Sequence, residues 1–416
     1  MKIADGVYVH FIPTQKYKTN RIVFRMTGSL NKQTIAKRAL VSQMLATANQ
    51  TYPTVQSFKE RLASLYGTQL STRVSTKGLT HSVDIELTYL KDAFIPTNEG
   101  LFWEVLGFLK ECLYKPLSRV AQYQNKVFDI EKQNLKTYLD VDTENNYYYS
   151  EVKGRELYFV NEGLKVPKYG QVELVEAETS FTAYQEFQSM LTRDRIDIFM
   201  VGEFDDYQVL QALHRFPLEG RQVDLQFSYS QPYVNVVKEK IEPRQSSQSI
   251  LQLGYQFPCQ YGDKDYFALI VFNAMFGEFA HSALFTTLRE KEGLAYSISS
   301  QFDIFTGLLE VYAGIEKSNR NQAMRGISRE LNYIKLGRFS SSLLNQTKKI
   351  IRMNALLSED HALTLVEQRF NKVIFGDKSL SLENWLDEIE KVTKKDVCRV
   401  ARQVKLQSLF FLEGVS

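Results

Sequence analysis

Arg289 and Tyr296 stand on either side of a glycine in the run Leu284-Phe285-Thr286-Thr287-Leu288-Arg289-Glu290-Lys291-Glu292-Gly293-Leu294-Ala295-Tyr296. The run reads as the last turns of a helix, a glycine stop and the opening residues of a strand. Such a turn brings a guanidinium and a phenol close together, both able to donate hydrogen bonds. Cleaving a peptide bond builds negative charge on the carbonyl oxygen, and fixed donors aimed there lower the barrier. Each residue also has a plain structural use. Arg289 lies near a helix C-terminus, where the dipole favours a cation, and Tyr296 can pack on a sheet.

No complete catalytic set accompanies them. A zinc hydrolase needs three protein ligands, an open position for water and a carboxylate to take that water's proton. The chain has five histidines, His10, His81, His214, His281 and His361, no two of them near one another in sequence, and neither H-x-x-E-H nor H-x-x-x-H occurs. His81 continues the face of an alternating strand and His281 begins the helix leading to Arg289, so both read as structural or capping residues. The sequence contains no Gly-x-Ser-x-Gly elbow, Walker-type phosphate loop or dinucleotide fingerprint. Cys112, Cys259 and Cys398 are far apart and odd in number, as expected of core thiols in a reducing compartment. Tyr147-Tyr148-Tyr149 either lines a peptide groove or forms a half-buried helix face.

The elements that must position these residues come twice. Thr54 is placed to cap a helix on which Phe58 and Leu62 form a stripe that Gly67 ends. A strand near 69–76 follows, then one with His81, Val83, Ile85, Leu87 and Tyr89 on one face. Counterparts recur further on at one constant displacement: Leu284 for Phe58, Leu288 for Leu62, Gly293 for Gly67 and Leu309 for Val83. Tyr296, Ile298, Ser300 and Phe302 alternate on one face of the strand between. Before each set lie a strand (21–27; 249–255) and an apolar helix (35–48; 266–276), and each half closes on a helix and a strand. With 416 residues the chain is too long for one ordinary core. The pattern predicts an α+β fold of two tandem homologous domains, each an antiparallel-rich sheet covered by helices. Their expected bounds are 1–220 and 249–416, with a polar linker at 221–248 that holds Pro232 and Pro243.

Composition is globular, 44% hydrophobic and 24% charged, with a formal net charge of +3 and no long basic run. Nothing points to nucleic acid or to an anionic membrane. No stretch approaches the roughly 18 apolar residues of a membrane span, and Asp5 interrupts any signal-peptide core. The expected location is cytoplasmic.

The segment from Leu284 to Ser297, with Gly277 and Ser282 before it, resembles the substrate-binding segment of the pitrilysin/insulinase-type zinc peptidases, the superfamily that includes the mitochondrial processing peptidases. The resemblance implies that Arg289 and Tyr296 hold substrate, and that the two domains enclose a central chamber. In the superfamily the zinc ligands come from H-x-x-E-H on the first long helix and from a more distant Glu. Laid on this chain, that motif covers Ala39-Leu40-Val41-Ser42-Gln43, with Ala39 and Gln43 at the histidine positions and Ser42 at the general base. The third ligand falls near Thr137-Tyr138, neither a carboxylate. Short two-domain chains of the superfamily often pair, one carrying zinc and the other the Arg/Tyr motif. The resemblance therefore implies a non-catalytic subunit with no metal or cofactor of its own. Its partner would bear H-x-x-E-H and zinc, and this chain would hold an unfolded peptide, contributing to a metalloendopeptidase only within the heterodimer. The alternative is an inactive peptidase-like scaffold with no proteolytic role.

Overall fold

The computed structural model describes residues 1–95 and 100–415. The chain opens with β1 (Lys2–Ala4), β2 (Val7–Pro13) and β3 (Thr19–Ser29), followed by α1 (Lys32–Leu45) and α2 (Val55–Ser64). The Asn31 side chain caps α1, and Thr54 with Ser57 closes a capping box on α2. The hairpin β4 (Gln69–Lys77) and β5 (Thr80–Leu90) comes next, then α3 (Leu101–Tyr114) and a short ribbon, β6 (Ser118–Arg119) and β7 (Gln122–Tyr123). Helices α4 (Asn125–Glu144), α5 (Asn146–Tyr158), α6 (Val172–Glu176) and α7 (Ser180–Arg193) lead to β8 (Arg195–Gly202) and α8 (Asp206–Leu213).

The second half repeats this order. It runs β9 (Lys238–Gln245), β10 (Ser249–Gln256), α9 (Tyr266–Asn273), two π-helical turns at Ala274–Glu278 and Phe285–Lys291, then the hairpin β11 (Ala295–Asp303) and β12 (Leu308–Ile315). Helices α10 (Arg320–Lys335), α11 (Ser341–Ser358), α12 (Ala362–Phe375), α13 (Leu382–Lys391) and α14 (Lys394–Gln403) precede the closing strand β13 (Lys405–Val415).

The sheets carry the repeat most plainly. One has the strand order β1-β2-β8-β3-β5-β4 and the other, read from its far edge, β9-β13-β10-β12-β11. Each has a single parallel pair, β2 with β8 and β9 with β13, and antiparallel pairing elsewhere. Three of the four sequence landmarks coincide with the structure, and the fourth slips. Val83 pairs with Val74. Ser300 stands at the repeat's displacement from Val74 and pairs with Val311, so Val311 rather than Leu309 is the counterpart of Val83. The second hairpin turn, 304–307, is longer than the first, 78–79, by an even number of positions. An even shift leaves the side chains on the same face, which is why the alternation alone did not reveal it.

Two compact units result, and each borrows a helical piece from the other half of the sequence. The first comprises Met1–Val141, Val166–Gln226 and Ala362–Arg369; the second comprises Asp142–Lys165, Phe227–His361 and the chain from Phe370 onward. The stretch read as a linker contains β9, Lys-Glu-Lys-Ile-Glu-Pro-Arg-Gln, paired with β13. Charges and a proline are what an edge strand carries, so the strand reads as a polar connection.

Within each unit one sheet face is apolar and the other polar. In the first, Phe24 and Ile85 meet Leu40, Leu109 and Phe187 from the covering helices. In the second, Leu253 and Val311 meet Phe272, Ile327 and Val397. On the polar faces, buried Arg25 pairs with Asp84 at 2.8 Å in the first unit and Arg155 with Glu310 at 2.9 Å in the second. Among the described residues, no helix is long and apolar enough to cross a membrane.

Candidate functional site

The helix leading to Arg289 ends in a widened turn. Glu292 N–H donates to Thr287 O at 2.9 Å, and Leu294 N–H donates to Leu288 O at 2.8 Å. Gly293 lies at φ +60, where a side chain would be strained, and lets the chain reverse into β11. Leu284, Leu288 and Ala295 fasten the turn to the second core, and Leu294 is buried beside them in sequence. Gly277 lets this part of the chain approach the sheet: a Cβ there would lie 2.8 Å from the Ser300 backbone nitrogen. The residues around Arg289 that match the superfamily's wording are thus those that hold the turn.

Arg289 and Tyr296 occupy the two arms of this turn, and both are exposed. The Arg289 guanidinium lies over the Phe285 ring, 4.6 Å from its centroid, and makes no ion pair among the described residues. Simple alternation puts Tyr296 on the buried face with Ile298, Ser300 and Phe302. Instead the register shifts between Ala295 and Ser297. This bulge gives the buried place to Ala295 and leaves Tyr296 56% exposed. Its hydroxyl donates to Glu316 Oε1 at 2.8 Å. That hydrogen bond, with the charge of Glu316, raises the Tyr296 pKa, so the phenol stays protonated and a donor.

The zinc-motif positions lie on α1. Ala39 is fully buried in the first core, and the Ser42 hydroxyl donates to the Ala39 carbonyl at 2.7 Å. Gln43 is half-buried. One position is packed apolar and another has its only proton committed to the backbone, so the trio does not fit a zinc ligand set. Thr137 and Tyr138, at the expected third-ligand position, lie on α4. The carboxylate that α4 does bring to this end of α1 is Glu131, which accepts from Thr47 at 3.0 Å. Among the described residues, no group of three or more His, Cys, Asp or Glu side chains is placed to hold a metal ion.

The histidines have structural partners. His81 is fully buried with Nε2 2.9 Å from the Lys168 carbonyl. Burial, aided by the Arg38 charge, pushes its pKa down to about 3. His281 Nε2 lies 2.8 Å from the Thr347 hydroxyl, and His10 meets Asp197 at 2.7 Å. The three cysteines are free and buried, and burial raises the Cys112 and Cys259 thiols to about 12, far from a reactive thiolate. The tyrosine run lies on α5 against the second sheet, where the Tyr147 hydroxyl meets Ser297 at 2.7 Å and Tyr149 bonds Glu242.

Sequence reasoning missed Phe285 and Glu316. Phe285 precedes Arg289 at the i, i+4 spacing that joins side chains on a helix. Glu316 follows Ile315, the strand partner of Ala295, and only the pairing brings it to Tyr296.

Residues 184–351 match the family model described as "Peptidase M16 inactive domain". The "Probable inactive metalloprotease YmfF" of Bacillus subtilis is 30% identical over 410 residues, covering 98% of this chain and 96% of its own length. The crystal structure of a conserved protein from Enterococcus faecalis V583 matches with a TM-score of 0.97 at 36% identity, over 100% of this chain and 98% of that one. A peptidase M16 inactive domain structure from Pseudomonas fluorescens matches with a TM-score of 0.77 at 15% identity, over 99% and 97% of the two chains, and shares the fold.

Proposed function

Since the chain belongs to the M16 peptidase family as an inactive metalloprotease-like member, we propose that it is the non-catalytic, substrate-binding subunit of a heterodimeric zinc metallopeptidase. The observation that carries this reading is the disposition of Arg289 and Tyr296. A guanidinium without an ion pair among the described residues and a phenol turned outward by a bulge stand on one rigid turn, while the zinc-motif positions of α1 hold no metal-binding set.

In this proposal a partner bearing H-x-x-E-H brings zinc, its ligands and the general base. The metal there polarises the carbonyl to be cleaved and activates water. Arg289 donates to a backbone carbonyl of an extended peptide, and Tyr296 turns its one hydroxyl proton from Glu316 to another carbonyl. Phe285 holds the Arg289 guanidinium in place, which reduces the ordering cost of binding. Backbone contacts are common to all peptides, so selection rests on flexibility and size rather than on a strict sequence. Both proteins act in the cytoplasm.

A second reading, an inactive scaffold, draws on the Tyr296 hydroxyl already being engaged by Glu316. The two separate by experiment. The chain is tagged at its native locus, its stoichiometric partner recovered, and peptide turnover by the pair compared with that of the Arg289→Ala, Tyr296→Phe double variant. The substrate-binding reading expects a partner of similar size with H-x-x-E-H and a loss of kcat/KM of about a hundredfold or more. A partner without that motif, or unchanged turnover, supports the scaffold and sinks the substrate-binding subunit.

A further inference from the structure

On the polar face of the second sheet, α5 leaves part of β11 and β12 uncovered. A cavity of about 400 Å³ lies in the angle between the helix and these strands. Asn145, the cap of α5, with Tyr147, Tyr148 and Glu151 line it from one side, and Gln252, Ser297, Gln301 and Tyr312 of the sheet from the other. Glycines permit this arrangement. A Cβ at Gly154 would lie 2.7 Å from Gln252 Cγ, and one at Gly314 would meet the Tyr147 hydroxyl.

Acceptors outnumber donors in this cavity: at its rim Asn145 Oδ1 accepts from the Tyr147 and Tyr148 N–H groups at 2.9 and 3.3 Å, which leaves the Asn145 Nδ2 a donor, while the remaining polar groups mostly accept. Beneath it lies Glu310, 4% exposed, whose carboxyl group accepts from Arg155 at 2.9 Å. Gln252 Nε2 donates to Glu310 Oε1 at 3.2 Å and Gln301 Nε2 to Glu310 Oε2 at 3.4 Å. Both amide groups are thereby oriented with nitrogen toward Glu310, which leaves their carbonyl oxygens as the atoms to offer. Tyr147 gives its only proton to Gln248 Oε1 at 3.1 Å. The Ser297 hydroxyl, 2.7 Å from the Tyr147 oxygen, is then the donor of that pair and presents lone pairs. Glu151, whose Oε1 also meets Arg155 at 3.3 Å, adds a carboxylate. The Tyr147 and Tyr312 rings meet edge to face with centroids 5.6 Å apart. Among the described residues, no Lys, Arg or His lines the cavity.

A predominance of acceptors, a carboxylate and aromatic walls without a cation in the lining suit an ammonium or guanidinium group on a slim stem. Ser297 directly follows Tyr296, which puts the cavity next to the residue proposed to hold the peptide. We propose that this cavity is a subsite for a basic side chain, lysine or arginine, of the bound peptide. The assignment rests on the peptide-holding reading and adds to it a preference that backbone contacts cannot supply.

The test is fluorescence anisotropy on the purified full chain with two labelled, unstructured peptides that differ only in arginine or norleucine at one central position. The arginine peptide is expected to bind about tenfold more tightly. Glu151→Gln, which leaves Arg155 its bond to Glu310, should bring it to the norleucine level without affecting the norleucine peptide. Equal binding of the two peptides overturns the subsite and leaves peptide holding intact. If neither peptide binds, the peptide-holding reading falls. Nα-acetyl-arginine amide and its citrulline analogue, titrated by NMR, then decide the cavity. Shifts at Tyr147 and Tyr312 with arginine alone keep a cation site there; no shifts, or equal shifts with both, remove it.

Discussion

The buried guanidinium of Arg25 offers the sharpest test of how the first unit is held. Arg25 is 1% exposed. It makes two bonds of 2.8 Å to Asp84 and one of 2.5 Å to Glu367 at the start of α12. Arg73 and Lys77 also reach Glu367, each at 3.2 Å. Glu367→Gln keeps the shape but removes one negative charge from among three cations. Burial alone would raise the Glu367 pKa, yet Arg25, then Lys77 and Arg73, bring it from the usual 4.5 to about 2. That difference corresponds to roughly 3 kcal/mol of stability. The side chain is 33% exposed, and solvent screening reduces the figure to about 2 kcal/mol. The sign follows from the depressed pKa: the contribution is complete above pH 4.5 and disappears as pH falls toward 2. Calorimetry should therefore show the transition of the first unit lowered by about 4–8 °C in Glu367→Gln at pH 7. The gap to the wild type should close on acidification. A variant that unfolds within about 1 °C of the wild type at pH 7, or a gap that persists in acid, refutes the reasoning.

Gly277→Ala should cost about 1–3 kcal/mol by overpacking, because the added carbon would meet the Ser300 backbone and not merely a movable side chain; denaturant unfolding checks it, and an unchanged midpoint contradicts it. His81, with its pKa pushed to about 3 by burial and Arg38, should show ring proton shifts that stay constant from pH 8 to pH 5 in NMR spectra. The unfolded chain protonates this residue near pH 6.5 while the folded chain does not, so His81 lowers stability as pH falls from 6.5 toward 3. A His81 resonance titrating near neutrality overturns both statements. The triple replacement Ala39→His, Ser42→Glu, Gln43→His should fail to bind zinc tightly in a chelator competition, since position 39 faces the packed core and α4 offers Thr137 and Tyr138 where a third ligand is needed; tight stoichiometric binding would show that the site survives in latent form.

The repeat, the α+β class and the glycine-stopped turn were legible because each rests on local rules. Gly67 and Gly293 lie at φ +71 and +60, and β4 and β11 keep the displacement of these glycines at both ends. What escaped was whatever depends on pairing between distant segments. The bulge that turns Tyr296 outward is set by the register of β11 on β12, and nothing in Ala-Tyr-Ser-Ile announces it. The exchange of α5 and the start of α12 between the units follows from which sheet face each helix covers, a choice that helical periodicity leaves open. The strand β9 was hidden because an edge strand protected by charge resembles a linker.

The repeat also supplies an internal control on the candidate site. The displacement that carries Gly293 back to Gly67 carries Arg289 and Tyr296 back to Ala63 and Leu70 in the first half. There the chain also stops a helix at a left-handed glycine, with Tyr66 left-handed beside it, and enters β4, with Leu70 in regular register opposite Leu87 and packed against the core. The turn thus forms without a guanidinium, without a phenol and without a bulge. Neither Arg289 nor an outward Tyr296 is needed to make this piece of structure, and a bulge that interrupts strand pairing is not a gain in stability by itself. On α1 the relation is reversed. Ala39 and Ser42 are absorbed by packing and by a backbone hydrogen bond, leaving little for a ligand to meet. Exposed donors where the fold does not require them, taken together with an α1 whose side chains serve the fold, are the physical ground on which the proposal assigns the catalytic metal to a partner and peptide holding to this chain.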